Sequence, residues 1–173
     1  MGYYKNEELS KETIQNNFLH TGDIGFLDEE GFLTITDRKK AMFKTSGGKY
    51  IAPAAIEKEL KQSRFIEQVM VIGESQKMPA AIIQINFEFV NEWAKRHNHT
   101  ITKYTSDKLL IERIQKEVDF FNQRFGKWEQ IKKFEITPDV WTIEDGHLTP
   151  TLKMKRKIIK EKYKDLYQKI YQS

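Results

Sequence analysis

Two short apolar runs constrain the fold of this 173-residue chain most: QVMVIGE at 68–74 and AAIIQINF at 80–87. Both are rich in β-branched residues, and Pro79 lies in the loop between them, so they read as neighbouring strands. Helical patterns surround them. Pro53 opens PAAIEKELKQS, with Ile56 and Leu60 on one face and Glu57 expected to pair with Lys61 four residues on. EFVNEWAKRH (88–97) reads as a short helix. SDKLLIERIQKEVDFFNQRF (106–125) carries Leu110, Ile114, Val118, Phe121 and Phe125 in one amphipathic stripe. IKKFEIT (131–137) is a further strand. A last helix is expected from about Met154, turning Ile158, Ile159, Tyr163, Leu166 and Ile170 inward. Strands and helices that alternate in this way predict an α+β fold, a small sheet covered by helices.

The first 40 residues differ in character. Residues 1–20 read as loop and short helix. IGFLDEEGFLTIT (24–36) then predicts a β-hairpin, with Gly31 at the turn position that favours positive φ. The polar cluster TDRKK (36–40) follows as a pivot. One domain preceded by a fragment therefore fits better than two complete domains.

Composition removes several classes of function. There is no cysteine, so disulfides, thiolate metal sites and a cysteine nucleophile are excluded. His20, His97, His99 and His147 are too scattered to form a ligand set, and no metal site is expected. No apolar run approaches the roughly 20 residues a membrane span needs. The opening MGYYKNEELSKE has no apolar signal segment, and Asn6 stands where a myristoylation pattern wants Ser or Thr. The expected location is cytoplasmic. The charge is uneven: Lys153 to Lys169 holds eight Lys or Arg against two acidic residues. Such a stretch suits a phosphate-bearing ligand, nucleic acid or an acidic membrane face, or is a solvated helix surface.

Three motifs can carry chemistry, and each has a plainer reading beside it. Asp23 follows Thr21–Gly22 at the mouth of a strand, where two carboxylate oxygens can accept both hydroxyls of a ribose; it can equally cap its own turn. Arg38 can add a planar fork to the same nucleotide, or form a surface ion pair. KTSGGKY (44–50) lacks the spacing of a Walker loop, having Tyr50 where Ser or Thr belongs. Its Gly47–Gly48 pair offers a surface without Cβ that a ligand can approach closely, or simply a tight turn. Finally, GHLTPTLKMKRK (146–157) reads as an extended, exposed, mobile loop leading into the basic helix. Lys153 on it can reach into a site and stabilise anionic oxygens, or be one surface lysine among many.

Taken in order, these motifs resemble a known family. GYYKNEE, then FLHTGDIGFLDEEGFLTITDRKKAMFKTSGGKYIAP, then LTPTLKMKRK about a hundred residues on, closely resemble the adenylate-forming acyl-CoA synthetases. The chain looks most like their long-chain fatty-acid–CoA ligases, including FNQRFGKWEQIKKFEI before the final loop.

The resemblance implies ATP, Mg²⁺ and coenzyme A as substrates or cofactor of the full enzyme, none held tightly by this piece. It implies that a fatty acid is joined to AMP and then passed to the coenzyme A thiol. By the same resemblance Asp23 holds the ribose hydroxyls, Arg38 assists there, and Lys40 is the hinge. Gly47 and Gly48 line the pantetheine path, with Lys49 near a phosphate. Lys153 bridges the substrate carboxylate and the α-phosphate during adenylation. Thr151–Leu152 precede that lysine where many relatives have Ser-Gly, so glycine-based loop flexibility is not assumed. The family's phosphate loop, adenine segment and acyl tunnel are not found. Residues 1–39 are therefore expected to be the tail of an N-terminal adenylation domain, and 40–173 a mobile C-terminal domain. The expected partner is the enzyme's own N-terminal domain, peripheral membrane contact is compatible, and no nucleic acid is expected. The alternatives are an acyl carrier protein as acceptor, or a basic nucleic-acid- or lipid-binding module.

Overall fold

The computed structural model describes residues 2–38 and 41–172, and divides after Met42 into two units. The first begins with α1 (Glu7–Thr13), whose first turn is capped by the Asn6 side chain accepting from Leu9 N at 3.0 Å. Two-residue strands β1 (Ile14–Gln15) and β2 (Phe18–Leu19) pair antiparallel, and β3 (Asp23–Leu27) pairs antiparallel with β4 (Leu33–Arg38). Gly31 sits at φ +86° in the β3–β4 turn, and Asp28 Oδ1 accepts from the amides of Glu30 and Phe32. None of residues 2–35 is buried; Phe18, Phe26, Leu27, Phe32 and Leu33 are all more than half exposed.

The second unit holds the core. A three-stranded sheet runs in the order β7 (Ile66–Ile72), β8 (Ala80–Ile85), β9 (Lys133–Ile136), with β7–β8 antiparallel and β8–β9 parallel. Strand alternation splits its side chains between two layers. Val69, Val71, Ala81, Ile83 and Ile85 face a cluster built with α2 (Pro53–Leu60), α3 (Phe87–Arg96) and α4 (Lys108–Asn122). Met70, Ile72, Ala80 and Ile82 face Trp141, Leu148 and the helices α5 (Arg156–Lys162) and α6 (Lys164–Gln172). Burial on both faces is why β7 and β8 are nearly continuous apolar runs. The fold is α+β, with helices on both faces of the small sheet.

Local chemistry places the helices where the sequence predicts. Pro53 occupies the first turn of α2, and the Asp107 side chain caps α4 by accepting from Leu110 N at 2.9 Å. Leu110, Ile114, Val118 and Phe121 form its buried stripe; α4 ends before Phe125, which packs on the same cluster from the connector. The last helix departs from expectation. It breaks at Tyr163, whose ring lies against Trp141 and His147 and whose hydroxyl donates to Asp139 Oδ2 at 3.1 Å. Ile159, Tyr163 and Ile170 are buried, whereas Ile158, expected inward, is 41% exposed because it lies about 100° round the helix from Ile159.

Glu57 also differs from the surface pair predicted with Lys61. It is 5% exposed and turned inward to Arg156, while Lys61 Nζ donates to Gln68 Oε1 at 2.8 Å.

Candidate functional site

The residues singled out in the sequence fall in both units. In the first, Asp23 opens β3 with its amide donating to Thr21 Oγ1, and the antiparallel register sets it opposite Arg38. The two residues proposed to meet one nucleotide are thus cross-strand neighbours. Lys40, the expected hinge, lies outside the described residues.

In the second unit KTSGGKY forms a hairpin. β5 (Phe43–Lys44) pairs with β6 (Tyr50–Ile51), and Thr45 N donates to Lys49 O, and Gly48 N to Thr45 O, both at 2.9 Å. Thr45 is buried, and its Oγ1 accepts from Lys49 N at 3.2 Å, fixing the loop from inside. Gly48 has φ +79°, a conformation that a side chain strains. Gly47 differs: its φ is not in that region, and a Cβ there would meet nothing nearer than Thr45 Oγ1 at 4.0 Å. The fold therefore requires the glycine at 48 and leaves the space above 47 open. Both flanking lysines lie over exposed aromatic rings: Lys44 Nζ 5.6 Å from the Tyr50 centroid, and Lys49 Nζ 5.6 Å from that of Trp128. Trp128 was not singled out in the sequence; an aromatic inside a polar connector is the only signal there.

Lys153 is held more tightly than an extended mobile loop would hold it. Leu148 and Met154 form an antiparallel bridge, Thr149 N donates to Lys153 O at 2.8 Å, and Lys153 N donates to Thr149 Oγ1 at 3.0 Å. Leu152 closes the turn at φ +58°, so a leucine adopts the left-handed conformation that glycine supplies more cheaply. The Lys153 side chain is left exposed at the tip.

The foot of this hairpin is polar but buried. Lys155 N donates to His147 O at 2.8 Å, and His147 is 1% exposed, stacked on Tyr163 and accepting from Thr142 N at Nδ1. Burial, and then the Lys162 charge, hold its imidazole below the ordinary value of 6.5, against the weaker pull of Asp145 and Asp139. The unfolded chain then binds this proton more readily than the folded one, so stability is full above pH about 6.5 and falls as pH drops below it. Chemical denaturation at pH 7.5 and 5.5 should show that loss, and His147→Gln should remove His147's share of it.

Comparison with known proteins shows the family and the fold. Residues 41–173 match the family model for the AMP-binding enzyme C-terminal domain. A long-chain-fatty-acid–CoA ligase of Mycobacterium tuberculosis is 38% identical over 98% of the chain, and fatty acyl-CoA synthetase B of Dictyostelium discoideum 35% identical over 98%. The chain spans 29% and 26% of those relatives. Among solved structures, the adenylation domain of a carboxylate reductase from Mycobacterium chelonae superposes with a TM-score of 0.83 at 23% identity, over 99% of this chain and 26% of that one. Through the match over its second unit, the chain belongs to the AMP-binding enzyme C-terminal domain family.

Proposed function

We propose that this chain is the C-terminal portion of an ATP-dependent long-chain fatty-acid–CoA ligase. The observation that carries the reading is the 38% identity to such a ligase over 98% of the chain. Asp23 and Arg38 would hold the ribose of the nucleotide. In the first half-reaction a carboxylate oxygen attacks the α-phosphorus of ATP and pyrophosphate leaves; Lys153 stabilises the negative oxygens of both groups. In the second, the coenzyme A sulfur attacks the acyl carbon and AMP leaves, with the pantetheine arm passing over Gly47 and Gly48 and Lys49 near its phosphate. Two loops of one small domain serve successive steps if the domain turns about Lys40 between them. Mg²⁺ would accompany ATP and neutralise charge on its phosphates.

The exposed apolar residues of the first unit support its being the tail of a larger N-terminal domain that covers them. No helix among the described residues is long and apolar enough to cross a membrane. The basic residues between 153 and 169 are compatible with a cytoplasmic enzyme that touches acidic membrane surfaces peripherally.

The full-length enzyme is expected to release pyrophosphate when fatty acid and ATP are present, to release AMP in multiple turnovers only once coenzyme A is added, and the isolated chain to turn nothing over. Substituting a holo acyl carrier protein for coenzyme A distinguishes the acceptor. Full-length enzyme that made no acyl-adenylate from any fatty acid would contradict the reading.

A further inference from the structure

Glu57 and Arg156 stand 99 residues apart and meet in the second unit, the Glu57 side chain buried and that of Arg156 about one third exposed. Their meeting place follows from the sheet. Among the described residues β7 is an edge strand in the order β7–β8–β9, so its outer backbone groups lack a strand partner there. At Val71 the two side chains supply one. Val71 N donates to Glu57 Oε1 at 2.7 Å, and Arg156 Nη1 donates to Val71 O at 3.4 Å. Arg156 Nη2 donates to Glu57 Oε2 at 2.5 Å and closes the ring. A carboxylate and a guanidinium fork thus satisfy the outward backbone donor and acceptor of one residue of the sheet edge.

The positions of this pair along the chain give it a second consequence. Glu57 lies on α2, which begins at Pro53 directly after β6, the second arm of the glycine hairpin. Arg156 is the first residue of α5, three residues beyond Lys153, and the neighbouring Lys155 amide ties the foot of the Lys153 hairpin to His147. Each loop therefore runs within a few residues into one partner of the same part-buried pair.

We propose that Glu57 and Arg156 are positioning residues that lock the Lys153 hairpin and the glycine hairpin into one rigid frame, so that each presents the right geometry when its half-reaction comes. The proposal rests on the ligase reading above. It differs from a purely stabilising role, because a buried ion pair is often no more stable than apolar residues of similar volume. An apolar pair can fill the space but cannot hold Val71 and α5 in a fixed hydrogen-bonded geometry. Small misplacements of a catalytic group cost far more in rate than in stability.

The test uses the full-length enzyme carrying Arg156→Lys, the double variant Glu57→Leu/Arg156→Met, and Lys153→Ala as control. ATP–pyrophosphate exchange, thioester formation from supplied acyl-adenylate and thermal melting are measured for each. The double variant is expected to melt near the parent temperature, with kcat of both half-reactions lowered about 10-fold or more and KM for ATP little changed, as displaced rather than missing groups would give. Arg156→Lys keeps the charge but not the fork and should recover only part of kcat, which covers the case of a double variant that does not fold. Parental kcat in both half-reactions for whichever of the two variants folds would overturn the proposal. Parental exchange in Lys153→Ala would overturn the ligase assignment of Lys153 instead, so the two failures are distinguishable.

Discussion

Under the proposed ligase function, Lys153→Ala in the full-length enzyme is expected to slow ATP–pyrophosphate exchange by about 10²–10³-fold, the loss that follows removal of one preorganised charge-stabilising group. Thioester formation from supplied acyl-adenylate should stay near the parental rate. The selectivity follows from the hairpin. The Lys153 backbone amide and carbonyl both bond to Thr149, and neither bond involves the ammonium group. Alanine therefore keeps the turn, and the exposed side chain takes no core contact with it. A melting temperature within a degree or two of the parent is expected alongside the lost exchange.

Gly47→Val is expected to do the reverse. A Cβ at 47 meets open space, and the backbone there does not need glycine, so the substitution costs the fold little. If a pantetheine arm lies against that backbone, the two added methyl groups occupy its path. The thiol-transfer step should then fall by about 10-fold or more, since a reacting group pushed aside by an ångström loses most of its advantage. Adenylation should be unaffected. Gly48→Val would be a poorer probe, because at φ +79° any loss of activity is mixed with backbone strain.

How far the sequence discloses the structure depends on whether the deciding interaction is local. β7 and β8 are legible because burial on both faces leaves continuous apolar runs. α2 and α4 are legible because Pro53 and Asp107 start them with chemistry that acts within four residues. The break at Tyr163 is not, since it is set by Asp139, Trp141 and His147 from another part of the chain. Glu57 is misread for the same reason: its partner is remote, and a lysine four residues on offers an obvious local pair. Yet a carboxylate between Ile56 and Leu60, in the apolar stripe of α2, was a signal that it faces inward. The candidate site follows the same division. The glycine turn can be read from its residues, but the ordered Lys153 hairpin cannot, because Leu152 gives no sign of its left-handed backbone. The roles proposed for Asp23, Arg38 and Lys153 rest on the order of the motifs taken together and not on any one of them.

In the proposed ligase, two half-reactions are divided between two hairpins of one unit. The most direct measurement is both half-reactions, side by side, for Lys153→Ala and Gly47→Val in the full-length enzyme. A crossed pattern is predicted: Lys153→Ala loses adenylation and keeps thioester formation, while Gly47→Val keeps adenylation and loses thioester formation. Two folded variants that lose the same half-reaction, or that each slow both steps equally, would contradict it.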